Sequence, residues 1–208
     1  MSSLSHHAFF LSVLLLCAVL ISGGNQTLQS VLARESIMTG QLLVATEQMR
    51  DPRFAETVIY IVEHNGDGAF GLIVNQPYAE GPISALLDKF DLKHNDVLGD
   101  ITLHYGGPVD SGMAFILHSP EYIIEGTLVI DELVALTSKP KVLRDIGIGK
   151  GPRRSLLAFG YSGWGPGQLE GEVRRGDWLI INVDPEIIFG PNPAAKWRRA
   201  IDRGDGFI

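Results

Sequence analysis

Three stretches of this sequence carry residue types from which catalytic or metal centres are built. In Gly160-Tyr161-Ser162-Gly163-Trp164 a serine lies between an apolar run and a helical one, as in the Gly-x-Ser-x-Gly elbow that exposes a hydrolase nucleophile. Trp164 occupies the place of the second elbow glycine. That hydrolase order also needs a histidine beyond the serine, and the last one here is His118. Ser162 is therefore read as structural. Gly163-Trp164-Gly165-Pro166-Gly167 has the composition of a loop that offers backbone N–H groups to a phosphate at a helix start. Its spacing matches neither a dinucleotide fingerprint nor a P-loop, and Glu170 and Glu172 in the first two helical turns would repel an anion. A tight turn that seats Trp164 is the expectation.

Metal chemistry rests on Glu63, His64, His94, His104 and His118, since the one cysteine, Cys17, lies in an apolar leader. Adjacent strand residues such as Glu63 and His64 point to opposite faces and cannot share an ion without a bulge. No His-x-x-x-His spacing occurs. His64 is expected to close a hairpin by hydrogen bonding, and neither a metal site nor a cofactor is predicted. The alternative is a hydrolase or metal-dependent enzyme using Glu63, His64 and His118.

These residues are positioned by a β-rich centre with scattered helices. Strands are predicted at residues 40–46, 57–63 and 69–75, the last two joined through Asn65-Gly66-Asp67-Gly68, whose residue types tolerate positive φ and signal a hairpin. Ile83, Leu86, Leu87 and Phe90 repeat at helical spacing behind Pro82. Further strands are expected at 101–105, 113–117, 127–130, 133–137, 155–161 and 178–183. Helices are expected near 140–146, from Pro166 with Leu169 and Val173 on one face, and behind Asn192-Pro193 with Ala194, Trp197 and Ile201 together. Hairpins without regular strand-helix alternation indicate an α+β fold.

The 208 residues fall into a leader, 1–33, and one domain, 34–208. The leader has no Lys, Arg, Asp or Glu, and residues 8–21 are apolar apart from Ser12, too short a run for a stable transmembrane span. It suits a secretory signal cut after Val31-Leu32-Ala33, although its start lacks Lys and Arg; the other reading is a translation start at Met38. Residues 1–138 carry a net charge of −11 and residues 139–208 of +4. The basic part could meet an acidic partner or DNA, but its Lys and Arg residues read first as ordinary solvated faces.

Several blocks in order resemble the YqgE/AlgH family of bacterial proteins. They are Gly40-Gln41-Leu42-Leu43-Val44-Ala45, Asp51-Pro52-Arg53-Phe54, Val58-Ile59-Tyr60-Ile61-Val62-Glu63-His64-Asn65 and Gly71-Leu72-Ile73-Val74-Asn75-Gln76-Pro77. Gly106-Gly107-Pro108-Val109, Phe115-Ile116-Leu117-His118 and Gly160 through Glu170 complete the match. The resemblance implies a compact, complex α+β fold whose mostly antiparallel sheet curls into a barrel-like body with flanking helices. It implies no established enzymatic activity, and one branch is described as a transcriptional regulator without a recognisable DNA-binding motif. Members are generally cytosolic, which implies a cytoplasmic domain, with export or membrane tethering as the alternative. Val62 stands where a family cysteine is common, and Glu47 where proline is common. An aliphatic side chain neither ionises nor oxidises, so a thiol switch at residue 62 is excluded.

The resulting expectation is an uncharacterised regulator or partner-binding protein, more a binder than an enzyme, with a structural or assembly role as a further alternative. Its binding surface is expected to expose Glu63, His64, Asn65, Asn75, Trp164, Gln168 and Glu170, because polar groups and an aromatic gathered around turns can hold a protein partner.

Overall fold

The computed structural model describes residues 38–204; the leader, its cleavage point and Cys17 lie outside the described residues. Ten strands form one branched sheet: β1 (Gln41–Ala45), β2 (Val58–Asn65), β3 (Gly68–Ile73), β4 (Pro77–Pro82), β5 (Asp100–Tyr105), β6 (Val109–His118), β7 (Leu128–Val129), β8 (Ala135–Thr137), β9 (Ser155–Trp164) and β10 (Trp178–Asn182). The main path runs β10-β1-β2-β3-β9-β6-β8-β7, with β4 and β5 joined to it through β9. Five helices flank it: α1 (Ile83–Asp88), α2 (Lys141–Gly147), α3 (Gln168–Arg174), α4 (Pro185–Phe189) and α5 (Pro193–Gly204). The class is α+β, a curled, half-barrel, mostly antiparallel sheet with flanking helices.

β9 organises the sheet. Residues Leu157, Ala158 and Phe159 pair in parallel with β5, Ser162, Gly163 and Trp164 pair antiparallel with β3, and β6 pairs along the strand. The neighbour changes around Gly160, where φ is 70°. Only a residue without a Cβ adopts that conformation cheaply, so the glycine of the serine motif is explained by the strand's change of direction.

The uninterrupted apolar runs of β1 and β2 follow from burial on both faces. Leu42, Val44, Val58 and Tyr60 pack on one side with Trp197, Ala200 and Ile201 of α5; Leu43, Ala45, Ile59 and Ile61 pack on the other with Trp164, Leu169 and Trp178. A third cluster joins α1 and α2 to β5, β6 and β9 through Leu86, Leu87, Leu143, Ile116 and Leu157.

Two elements depart from the sequence expectation by being present. β4 has proline at both ends and pairs only with β5, the edge placement that proline tolerates. α4 is a five-residue helix capped by Asp184, whose side chain accepts from the Glu186 N–H at 2.9 Å, and it is too short for apolar periodicity to reveal. Phe90, expected on the face of α1, falls beyond its end and is exposed, because the chain turns at Lys89. Among the described residues no helix is long and apolar enough to cross a membrane.

α5 is fastened at two points. The Trp197 indole N–H donates to the Ala45 carbonyl at 2.7 Å, and buried Lys196 donates from Nζ to the carbonyls of Val74 (2.9 Å) and Ile188 (2.7 Å). Burial lowers the Lys196 pKa to about 8, against 10.5 for a free amine. Between those values the unfolded chain binds the extra proton, so stability rises with pH across that window. Urea unfolding of the parent is expected to show a gain of about 2 kcal/mol from pH 8 to pH 10 that Lys196→Met lacks.

Candidate functional site

The β2-β3 hairpin is built as its residue types require. The Asn65 side chain accepts from the Asp67 N–H at 2.8 Å and donates to the Glu63 carboxylate at 2.8 Å. A bulge falls between Ile61 and Glu63, at Val62. His64, Ala69 and Trp164 then line up across β2, β3 and β9. The loop after β9 turns the chain back into α3, which reaches this row with two acids.

Glu170 and Glu172, two apart on a helix, project in different directions. The His64 ring donates from Nε2 to Glu170 at 3.0 Å. One oxygen of Glu172 accepts both indole N–H groups, from Trp164 at 2.8 Å and Trp178 at 2.9 Å, and the other accepts the Gln168 amide at 3.0 Å. Gln168 in turn accepts from the Gly165 N–H. α3 is thus clasped to β2 by one carboxylate and to β9 and β10 by the other. The Glu170 N–H, with the His64 ring, holds the Glu170 carboxyl below its ordinary range, whereas burial raises that of Glu63.

Beside this clasp lies an open cleft of about 490 Å³. The loop between β1 and β2 contributes Met49, Arg50, Asp51, Arg53 and Phe54; Pro108 and Val109 contribute the turn into β6. Trp164, Gln168, Glu172, Arg175 and Asp177 close it from the side of α3. Arg53 donates from Nε to Asp51 at 3.0 Å and from Nη2 at 2.6 Å, and its guanidinium lies 5.7 Å from the centre of the Phe54 ring. Arg175 donates to Asp177 at 2.7 Å.

The sequence-predicted residues separate into four places. Trp164 and Gln168 line the cleft; His64 and Glu170 form the clasp; Glu63 and Asn65 bond to each other at the hairpin turn. Asn75 is elsewhere: it accepts from the Val58 N–H and donates to the Glu56 carbonyl, substituting for strand pairing where the β3 ladder ends. The expected exposed surface is corrected accordingly. His64 is 7% and Trp164 6% exposed: Trp164 packs in the core with Leu169 and Trp178, and His64 bonds to Glu170 of α3. The constellation of Glu63, His64 and His118 is also not assembled: His118 aligns with Ser155 and His64, through Ala69, with Trp164, at opposite ends of β9.

The other reactive types are held in the body. Ser162 is wholly buried and donates to the Gly106 carbonyl at 3.3 Å. His118 donates from Nδ1 to the Ser119 carbonyl, leaving Nε2 to accept from Thr137, and burial lowers its pKa. Arg50, Phe54, Arg175 and Trp178 were missed as site residues, because nothing local ties the loop at 46–57 to the segment 164–178 that completes the cleft.

The sequence profile of the family described as AlgH-like matches residues 42–206. The chain belongs to the AlgH-like family. A UPF0301 protein of Jannaschia sp. is 43% identical over 166 residues, covering 79% of this chain and 86% of its own, and one of Methylococcus capsulatus is 44% identical over 163 residues, covering 78% and 89%. The solution structure of the AlgH protein from Pseudomonas aeruginosa matches with a TM-score of 0.68 at 35% identity, over 82% of this chain and 90% of that one. The AlgH-like match thus spans the clasp and the cleft together.

Proposed function

We propose that this AlgH-like protein acts by binding a regulatory partner, not by catalysis, and that the cleft beside α3 is where it binds. The observation that carries this reading is the composition of the cleft. Three guanidinium groups line it beside the apolar side chains of Met49, Phe54, Pro108 and Val109, while Ser162, His104, His118 and Lys196 are buried and hydrogen-bonded within the body. Planar forks beside apolar surface favour recognition.

Direct DNA reading is the weaker form of a regulatory role. Seven of the twelve Lys and Arg residues beyond residue 138 are held by carboxylates, among them Arg144 by Asp96, Arg154 by Glu186 and Arg203 by Asp184. Pairing cancels much of the long-range attraction on which binding to a polyanionic backbone depends. We place the protein in the cytoplasm, following the family resemblance, and cell fractionation tests this.

The test of the binding reading is quantitative capture of partners from native cells by the parent and by a folded Arg50→Ala, Arg53→Ala double variant. At least a tenfold loss of a specific partner is expected. Equal capture by both would overturn the assignment of the cleft.

A further inference from the structure

We infer that the cleft beside α3 takes a small organic oxyanion, a carboxylate or phosphate carried on a flat apolar body. The inference rests on the reading of the cleft as the binding site and names the chemistry it recognises. Asp51 occupies Nε and Nη2 of Arg53, which fixes the guanidinium and leaves Nη1 without a hydrogen-bond partner among the described residues. Arg175 uses one N–H on Asp177 and keeps the others. Arg50 is exposed and meets no carboxylate among the described residues. Guanidinium forks held in this way match the paired oxygens of a carboxylate or phosphate.

The acids of the cleft do not compete for those forks. Asp51 and Asp177 are already paired. Both oxygens of Glu172 are taken by neutral N–H donors, which aims its charge into the wall. Formally the three cations and three acids of the lining cancel, so nothing here attracts a polyanion from a distance; recognition is short-ranged and suits a single oxyanion group. Met49, Phe54, Pro108 and Val109 supply the surface for an apolar body. At about 490 Å³ the space lies within the range of small-molecule sites, roughly 300–1,000 Å³.

The full chain is titrated with phenyl phosphate, followed by tryptophan emission, with benzoate, inorganic phosphate and benzyl alcohol in parallel. Saturable binding of phenyl phosphate or benzoate is expected, at least tenfold tighter than inorganic phosphate or benzyl alcohol, and whichever of the two binds tighter assigns the head group. The Arg50→Ala, Arg53→Ala variant is expected to lose at least tenfold for the aromatic anions, while Arg198→Ala on α5 binds as the parent does. Absence of saturable binding, benzyl alcohol binding as tightly as the anions, or an unchanged affinity in the double variant would each overturn the inference. If the aromatic anions fail to bind while the double variant still loses its cellular partner, the ligand class falls and the binding reading stands. If the partner is also retained, both fall.

Discussion

Gly107→Ala is expected to cost about 4 kcal/mol, at the upper end of what single substitutions do. The turn from β5 into β6 crosses directly over the bend of β9. A Cβ on Gly107 would lie 2.2 Å from the carbonyl carbon of Tyr161 and 2.3 Å from its oxygen, and the residue sits at φ 151°, where L side chains are strained. The neighbour is backbone, so no rotamer change relieves the overlap. Nor can the turn lift away freely, since the Gly106 N–H donates to the Phe159 carbonyl at 2.8 Å and its own carbonyl accepts from the Ile73 N–H at 2.9 Å. A Cβ at Gly160 would meet the Gly107 carbonyl oxygen at 2.5 Å, so the two glycines permit each other's approach. Gly112→Ala, with nothing within 4 Å, is the control and is expected to stay within about 0.5 kcal/mol of the parent. Urea midpoints at constant m-value decide the matter; near-equal midpoints for the two variants would show that the crossing is not tight.

Glu172→Ala is expected to cost about 3 kcal/mol. The substitution leaves the indole N–H groups of Trp164 and Trp178 without an acceptor beneath α3, and each buried unsatisfied donor costs about 1–3 kcal/mol. It also removes the acceptor for Gln168 and so loosens the first turn of the helix. Glu172→Gln keeps an accepting oxygen and is expected to lose only about 1 kcal/mol. The two indoles meet edge to face at 6.2 Å, so their emission reports directly on the site. A red shift in the folded alanine variant, small or absent in the glutamine variant, is the expected signature. Equal stability of Glu172→Ala and the parent would mean that the indoles find other acceptors.

Much of this architecture was legible in the amino-acid order because the signals are local. The hairpin at Asn65-Gly66-Asp67-Gly68, the strand of Gln41–Ala45 and the proline-led helix of Pro193–Gly204 all carry their own turn, run or cap. β4 was hidden because its two prolines read as breakers, although an edge strand accommodates them. The candidate site was legible in part. Trp164, Gln168 and Glu170 were found through the loop and helix start that carry them, but Trp164 was expected outside and lies inside, because Trp178, from the next strand, completes its pocket. The pairing of Glu172 with two indoles joins three elements, and no spacing rule signals it. Asn75 was misplaced for a related reason: a polar side chain near a strand end reads equally as surface or as a substitute backbone partner, and the structure uses it as the second.

The position of β9 in the chain has a consequence in time. The strand that β3, β5 and β6 all require is made only from residue 155 onward. At synthesis rates of roughly 5–20 residues per second, the earlier strands wait several seconds or more with open edges. Their pairings with β9 span up to 95 residues, as between Ala69 and Trp164, and non-local pairings of this kind slow folding. Arrival of β9 supplies the partner for three edges at once, and unpaired strand edges are the feature by which a nascent chain pairs wrongly.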